Sequence, residues 1–250
     1  MNLDQPWKIA ALIGLLAFLR IVWGLWRQAP ARAFMVELLD SGLIAFVLVF
    51  VLIRPFVVQA FYIPSRSMVP ALLDGDRILV NKFVYRLNPA ERGDIIVFDA
   101  PPQALQGDTK KDFVKRLVGL PGDSVEITRG VGVFINGKLL REPPGVLLPE
   151  EDWPVDDMGM PTAHPYEVPP NTYFVLGDNR NDSNDSHKWF EIVDSSRVLR
   201  PELDKNRVLG KAMIIFWPPS RIGLVGDHSQ VGLAEDSRLV QGGLARAQAR

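Results

Sequence analysis

Two apolar stretches within the first 60 residues constrain this chain more than any other feature. From Trp7 to Trp26 the sequence is apolar except for Lys8 and Arg20, and from Leu38 to Val58 its charges, Asp40 and Arg54, lie near the ends. Each is about the ~20 residues that cross a hydrocarbon core of roughly 30 Å as a helix. In the second stretch Gly42 to Ile53 is uninterrupted, and its polar ends can reach an interface. For the first, a cleaved signal peptide is the alternative: Lys8, the run Ile9 to Leu19, then small residues at Ala29, Ala31 and Ala33. A further apolar run, Ile21 to Trp26, makes the region before any cleavage unusually long and bulky. Arg27 and Arg32 mark the intervening loop, residues 27–37, as the cytoplasmic side, and Arg20 is close enough to snorkel toward it. Both termini are then expected outside the cytoplasm, with residues 1–60 as a membrane anchor in contact with the lipid bilayer.

Beyond Phe61 the material changes. The whole chain has 28 Lys+Arg against 29 Asp+Glu, and of these only Lys8, Arg20, Arg27, Arg32, Arg54, Asp4, Glu37 and Asp40 precede residue 61. This near-neutral balance offers no basic surface for nucleic acid. With no cysteine there is no disulfide framework, thiolate metal site or Cys nucleophile. Short β-branched runs follow Gly-Asp turns: Gly75-Asp76 before Arg77 to Val80, Gly93-Asp94 before Ile95 to Phe98, and Gly122-Asp123 before Ser124 to Ile127. Asn136-Gly137 between Val133 to Ile135 and Lys138 to Leu140 reads as a type I′ hairpin. Further strands are expected at Tyr173 to Leu176 and Leu209 to Trp217. No helix-length amphipathic period occurs between Phe61 and Pro218. The fold class is therefore mainly β, an antiparallel body at 61–223 around one continuous core, behind one or two N-terminal transmembrane helices. An excursion from the core sheet is expected at about 124–170, where Glu142 to Pro170 is rich in Pro and acidic residues. Residues 224–250 turn small and polar and read as a disordered tail.

Only His164, His187 and His228 are available for histidine chemistry, and none lies near a nucleophile turn such as G-x-S-x-G. A zinc site is equally disfavoured. Three segments stand out instead. Ile63-Pro64-Ser65-Arg66-Ser67-Met68-Val69-Pro70 follows the second apolar stretch, and prolines on both sides stiffen a backbone whose two serines point the same way. The bland alternative is a hydroxyl that merely satisfies a turn. In Phe113 to Asp123, strand alternation puts Lys115 on one face with Phe113 and Leu117 and sends Arg116 to the other. A buried lysine sheds its proton more readily and can serve as a general base, whereas an edge lysine would only snorkel. Gly177 to Ser186 is a dense polar loop bounded by the apolar run Tyr173 to Leu176 and Trp189, able to fold inward as a network.

Together these segments resemble those of bacterial type I signal peptidases, membrane-anchored Ser/Lys proteases, over roughly Leu38 to Pro218. P-S-x-S-M-x-P, K-R-x-V-G-L-P-G-D and G-D-N-R-x-x-S-x-D-S occur in that family's order. The resemblance implies Ser67 as nucleophile and Lys115 as general base, with an oxyanion hole from the Ser67 N–H and the Ser65 hydroxyl. Ser183 would orient the lysine, supported by Asp178, Arg180 and Asp185. Ile63, Pro64, Met68, Leu72, Phe113 and Val114 would line pockets for small residues at the −1 and −3 positions of signal-peptide-bearing preproteins. No cofactor or metal is implied, and the location is the bacterial cytoplasmic membrane with the catalytic domain on its outer side. The chain departs from the family pattern at Arg66, Ala71, Asn181-Asp182, His187 and Phe190, none of them in the dyad. A non-catalytic membrane-anchored β scaffold is the alternative from another class, and a soluble self-cleaving repressor-type protein is disfavoured by the apolar front end.

Overall fold

A segment apolar on every side gains nothing from an amphipathic arrangement, and in lipid a helix satisfies all its backbone groups internally. In the computed structural model, which describes residues 6–26, 31–53, 57–105, 110–155, 164–194, 196–225 and 232–233, the N-terminal unit Met1–Gln59 contains two helices. These are α1 (Pro6–Leu25) and α2 (Arg32–Val47), the latter continued by a π-helical stretch over Leu48–Ile53. Among the described residues Arg32–Val51 is long and apolar enough to cross a bilayer, and Ala10–Leu25 is a shorter apolar helix. The second helix thus begins inside the expected 27–37 loop and ends before Val58, which belongs to a strand. Ala33 to Glu37 are compatible with helix and extend the apolar segment, whereas β-branched Val58 suits a sheet. Arg20 Nε donates to Asp40 at 2.9 Å, a charge-assisted bond that ties α1 to α2.

The second unit, Ala60–Arg250, is built from short antiparallel strands. Strands β1 (Val58–Tyr62), β2 (Arg77–Asn81), β3 (Ile95–Asp99), β4 (Asp112–Gly119), β9 (Thr172–Leu176), β12 (Leu203–Asp204), β13 (Val208–Trp217) and β14 (Gly223–Leu224) make one sheet. Its order is β1-β2-β13-β3-β4-β9-β12, with β14 on β13. The excursion expected at about 124–170 does leave the main sheet. Its first part supplies the expected strands β5 (Ser124–Thr128), β6 (Gly132–Ile135) and β7 (Lys138–Arg141), its Pro-rich part supplies among the described residues only the short β8 (Tyr166–Glu167), and with β15 (Gly232–Leu233) these form a second, five-stranded sheet. β10 (Phe190–Val193) and β11 (Ser196–Leu199) make a separate hairpin. The Asn136-Gly137 turn has positive φ at both residues, 52° and 73°, as its hairpin requires. Most of the expected tail lies outside the described residues.

One local device recurs at the three Gly-Asp turns. Gly75, Gly93 and Gly122 have φ of 91°, 96° and 84°, a region open to glycine at little cost. The aspartate that follows accepts from the backbone N–H three residues before it: Asp76 from Leu73, Asp94 from Glu91 and Asp123 from Leu120. All three carboxylates are buried, and each meets a cation remote in sequence, Arg221, Lys211 and Arg92 respectively. A turn closed locally is thereby fastened to the tertiary structure.

The core is not continuous but divides into three clusters. Ile63, Met68, Leu72, Ile78, Val80, Ile95 and Val97 belong to the first. Ile96, Phe98, Leu117, Val175 and Trp189 belong to the second, and Val118, Val125, Ile135, Trp153, Phe174 and Leu176 to the third. The period-2 alternation of β3, β4 and β9 causes the division: neighbouring residues on strands covered on both sides serve different clusters. Phe174, fully buried and packed near the Trp153 and Tyr166 rings, should be a sensitive point of the third. Phe174→Ala should destabilise the protein by about 3–5 kcal/mol through the cavity it leaves. In the detergent-solubilised full chain this should appear as a thermal midpoint lowered by roughly 6–20 °C, and an unchanged midpoint would contradict the packing.

Candidate active site

Between β1 and β2 the chain must leave the sheet and return, and its ends are pinned together. The Ile63 N–H donates to the Asp76 carbonyl and the Gly75 N–H to the Ile63 carbonyl, both at 2.9 Å. Ile63, Met68 and Leu72 insert into the first cluster, so the residues between the first two are held outward: Ser65 and Arg66 are exposed and Ser67 is half-buried. The far side of the loop is clamped by Arg221, whose Nε donates to Asp76 at 2.9 Å and whose Nη2 donates to the Ala71 carbonyl at 3.4 Å.

The polar loop after β9 grips the same segment from another direction. The Asn179 N–H donates to the Ser67 carbonyl at 3.1 Å, and its side-chain amide to the Arg66 carbonyl at 3.3 Å. The loop is itself fixed to β9 by side chains that stand in for strand partners. Ser186 Oγ accepts from the Val175 N–H at 2.9 Å, and Asp185 Oδ2 from the Gly177 N–H at 2.8 Å. Asp178, Asn179, Arg180, Ser183, Asp185 and Ser186 are all buried, so the loop is an interior network.

Lys115 on β4 reaches Ser67: Nζ lies 2.8 Å from Oγ. The side chain is 4% exposed and passes near the Phe113 ring, 5.4 Å from its centroid. Burial pushes its pKa down to about 8, against the opposing pull of Asp185 and Asp178, because desolvation disfavours the ammonium form. Ser65 Oγ is 3.4 Å from Ser67 Oγ. Arg116 shares its strand face with Val114 and Val118 and is also buried. Its Nε and Nη2 hold Asp178 at 2.7 and 2.6 Å, and Nη1 donates to the Gly93 carbonyl at 2.8 Å. Arg180 pairs with Glu142. Burial pushes the Glu142 carboxyl up, partly countered by Arg180. Asp185 meets His187 Nδ1 at 2.5 Å. Burial opposes its charge, but His187, the Gly177 N–H and Ser183 outweigh that and hold its pKa below the ordinary value.

A buried amine thus lies within hydrogen-bond distance of a serine hydroxyl. Residues 35–217 match the family model described as signal peptidase, peptidase S26. The chain belongs to this family. It is 37% identical over 208 residues to a probable signal peptidase I-2 of Synechocystis sp., covering 82% of this chain and 83% of that protein. It is also 40% identical over 177 residues to a signal peptidase I of Leptolyngbya laminosa, covering 70% and 76%. A crystal structure of a signal peptidase I from Enterococcus faecalis V583 matches half of this chain and 97% of that one, at 27% identity and a TM-score of 0.33. Membership in the signal peptidase family supports signal-peptide processing by a serine peptidase.

Within this signal peptidase, Ser65, Ser67 and Lys115 come together, with Asp178 and Asp185 in electrostatic reach of the amine. Ile63, Met68 and Leu72 are packed beside Ser67, Val114 lies against their cluster, Pro64 is exposed, and Phe113 packs on the second cluster. Among the described residues Ser183 Oγ is buried and makes no hydrogen bond to Lys115, and it helps instead to hold the charge of Asp185. Sequence reasoning gave no role to Asn179, Arg116 or Glu142. Asn179 sits inside the Gly-Asp-Asn-Arg motif, but that its N–H meets Ser67 depends on loops 112 residues apart. A Cβ on Gly177 would collide with the Ser67 carbonyl and the Ser183 hydroxyl. Gly177→Ala should therefore displace the serine loop and lower kcat by roughly 10²-fold, as ångström-scale misplacement does. Steady-state kinetics on a signal-peptide substrate would measure this, and wild-type turnover would refute the close approach.

Proposed function

We propose that this chain is a membrane-anchored Ser/Lys endopeptidase that removes signal peptides from exported preproteins, with Ser67 as nucleophile and Lys115 as its base. The observation that carries the reading is the 2.8 Å contact between a buried, desolvated amine and the serine hydroxyl. The Ser67 proton passes to neutral Nζ as Oγ attacks the scissile carbonyl. The oxyanion is received by the Ser67 N–H and the Ser65 hydroxyl, the kind of preorganised donors that contribute strongly to barrier lowering. The resulting Lys115 ammonium protonates the departing amine. Lys115 then takes a proton from water as the water attacks the acyl ester, and gives it to Ser67 Oγ as the ester bond breaks, releasing the carboxylic acid and restoring the serine hydroxyl and the neutral amine.

Ile63, Pro64, Met68, Leu72, Phe113 and Val114 form the walls for the residues preceding the cleaved bond. Branched side chains already locked into a core cannot withdraw to admit a large side chain, which supports a requirement for small residues at −1 and −3. Asp178, Arg180, Asp185 and Ser183 support the loop that holds Ser67 in place. The helical segments of residues 1–60 anchor the enzyme in the cytoplasmic membrane, and Arg27 before the second helix with Arg32 at its start favours a catalytic body on the outer side.

Activity should rise with pH through a limb centred near 8, since the base is the deprotonated amine. Ser67→Ala, Lys115→Met and Lys115→Arg should each lower turnover by at least about 10³-fold, the arginine because it cannot release its proton. Cleavage of a preprotein by the purified full chain in detergent, measured from pH 5 to 10, is the test. Appreciable turnover by any of the three variants would reject the dyad. A substrate with Phe in place of Ala at −1 should not be processed, and equal cleavage of it would reject the pocket assignment.

A further inference from the structure

Two buried carboxylates stand at Gly177, the residue that lies against the Ser67 carbonyl: Asp178 follows it in the chain and Asp185 accepts its N–H. Both pull on the Lys115 proton, and their own partners differ in kind. Asp178 is held by both nitrogens of a buried arginine fork, Arg116, and a guanidinium keeps its proton throughout the accessible pH range. Asp185 is held by the imidazole of His187, at 2.5 Å from Nδ1 and 3.4 Å from the backbone N–H. Histidine is the side chain whose ordinary titration lies between about pH 5 and 8. With Nδ1–H directed at the carboxylate, the proton that comes and goes is the one on Nε2. The Asp185 charge is thus compensated in one protonation state of His187 and uncompensated in the other.

Proton access to this pair does not require opening the catalytic face. His187 borders a cavity of about 50 Å³ whose walls include Trp153, Arg180 and the exposed Glu150 and Glu151. A polar space of that size admits water. The charged and titratable groups around His187 are Asp185 and Lys188 from its own segment, Arg180 from the polar loop, and Glu150 and Glu151 across the cavity. Arg180 is itself matched by Glu142, which leaves Asp185 as the carboxylate that links His187 to Lys115.

Resting on the Ser67–Lys115 reading, we propose that His187 is a positioning residue that sets the basicity of Lys115 through Asp185, so that the histidine proton and the lysine proton are coupled. The sign follows from charge. Imidazolium at 187 cancels the Asp185 carboxylate, weakens the pull that keeps Lys115 protonated, and favours the free amine. Neutral imidazole leaves that pull in place and favours the ammonium.

The test uses the full-length enzyme in detergent and the pH dependence of kcat/KM on a signal-peptide substrate. His187→Arg fixes the positive charge and His187→Gln removes it while keeping a donor. The limb of the Gln variant should lie about 0.5–1 pH unit above that of the Arg variant, in the range nearby charges produce. The wild-type limb should lie between those of the two variants. Coincident limbs for the two variants would overturn the proposal. A second measurement needs no activity. Because linkage is reciprocal, the His187 ring resonances, one of three histidines in the chain, should titrate at higher pH in Lys115→Met than in wild type. An unmoved titration would also overturn it. If Lys115→Met itself cleaves substrate, the dyad fails. If it is inactive while the Arg and Gln limbs coincide, only the histidine coupling fails.

Discussion

Desolvation of the Lys115 amine is the constraint around which the rest of the structure is organised. An ammonium taken out of water is strongly disfavoured, and a group so buried becomes a neutral amine at moderately alkaline pH. Carried further, burial would weaken the hold of the amine on its proton still more. Asp178 and Asp185 oppose the desolvation. The pKa of about 8 is the balance between an apolar setting, supplied by the second core cluster, and two carboxylates delivered by the polar loop.

Those carboxylates would be costly if left alone, since a buried charge without a partner loses its hydration without compensation. The structure answers with a partner for each, the Arg116 guanidinium on Asp178 and the His187 imidazole on Asp185. The pairs also fix geometry. Through Gly177, Asp178 and Asn179, the loop that carries the charges is the loop that hydrogen-bonds the Ser67 and Arg66 carbonyls. One short segment therefore sets both the basicity of the lysine and the position of the serine it serves. Its close approach leaves room for glycine alone at 177.

The Gly-Asp turns show the same economy in the scaffold. Each aspartate closes its own turn and then meets a distant cation. The first of them, Asp76 with Arg221, carries the serine loop. Arg221 follows β13 in the chain yet also donates to the Ala71 carbonyl. Ser67 is therefore braced by the first core cluster beneath its loop, the polar loop on one side and the segment after the long strand on the other.

The sequence by itself determined the strands that follow Gly-Asp turns, the Asn136-Gly137 hairpin, the apolar helical front end and the three catalytic-looking segments. All of these depend on local chemistry: turn glycines, β-branching and continuous apolarity act over a few residues and can be read without a partner. Alternation likewise placed Lys115 on a buried face with Phe113 and Leu117. It did not show that Arg116 on the opposite face is buried too, since strand period tells which residues share a face and not what covers it. For the same reason one expected core became three clusters. That Asn179 grips Ser67, that Ser183 sits beside Gly177, and that His187 stands against Asp185 with a cavity at its back were decided by tertiary structure alone. These contacts join loops whose spacing along the chain carries no signal, and only packing of the sheets brings their charges within reach of one amine.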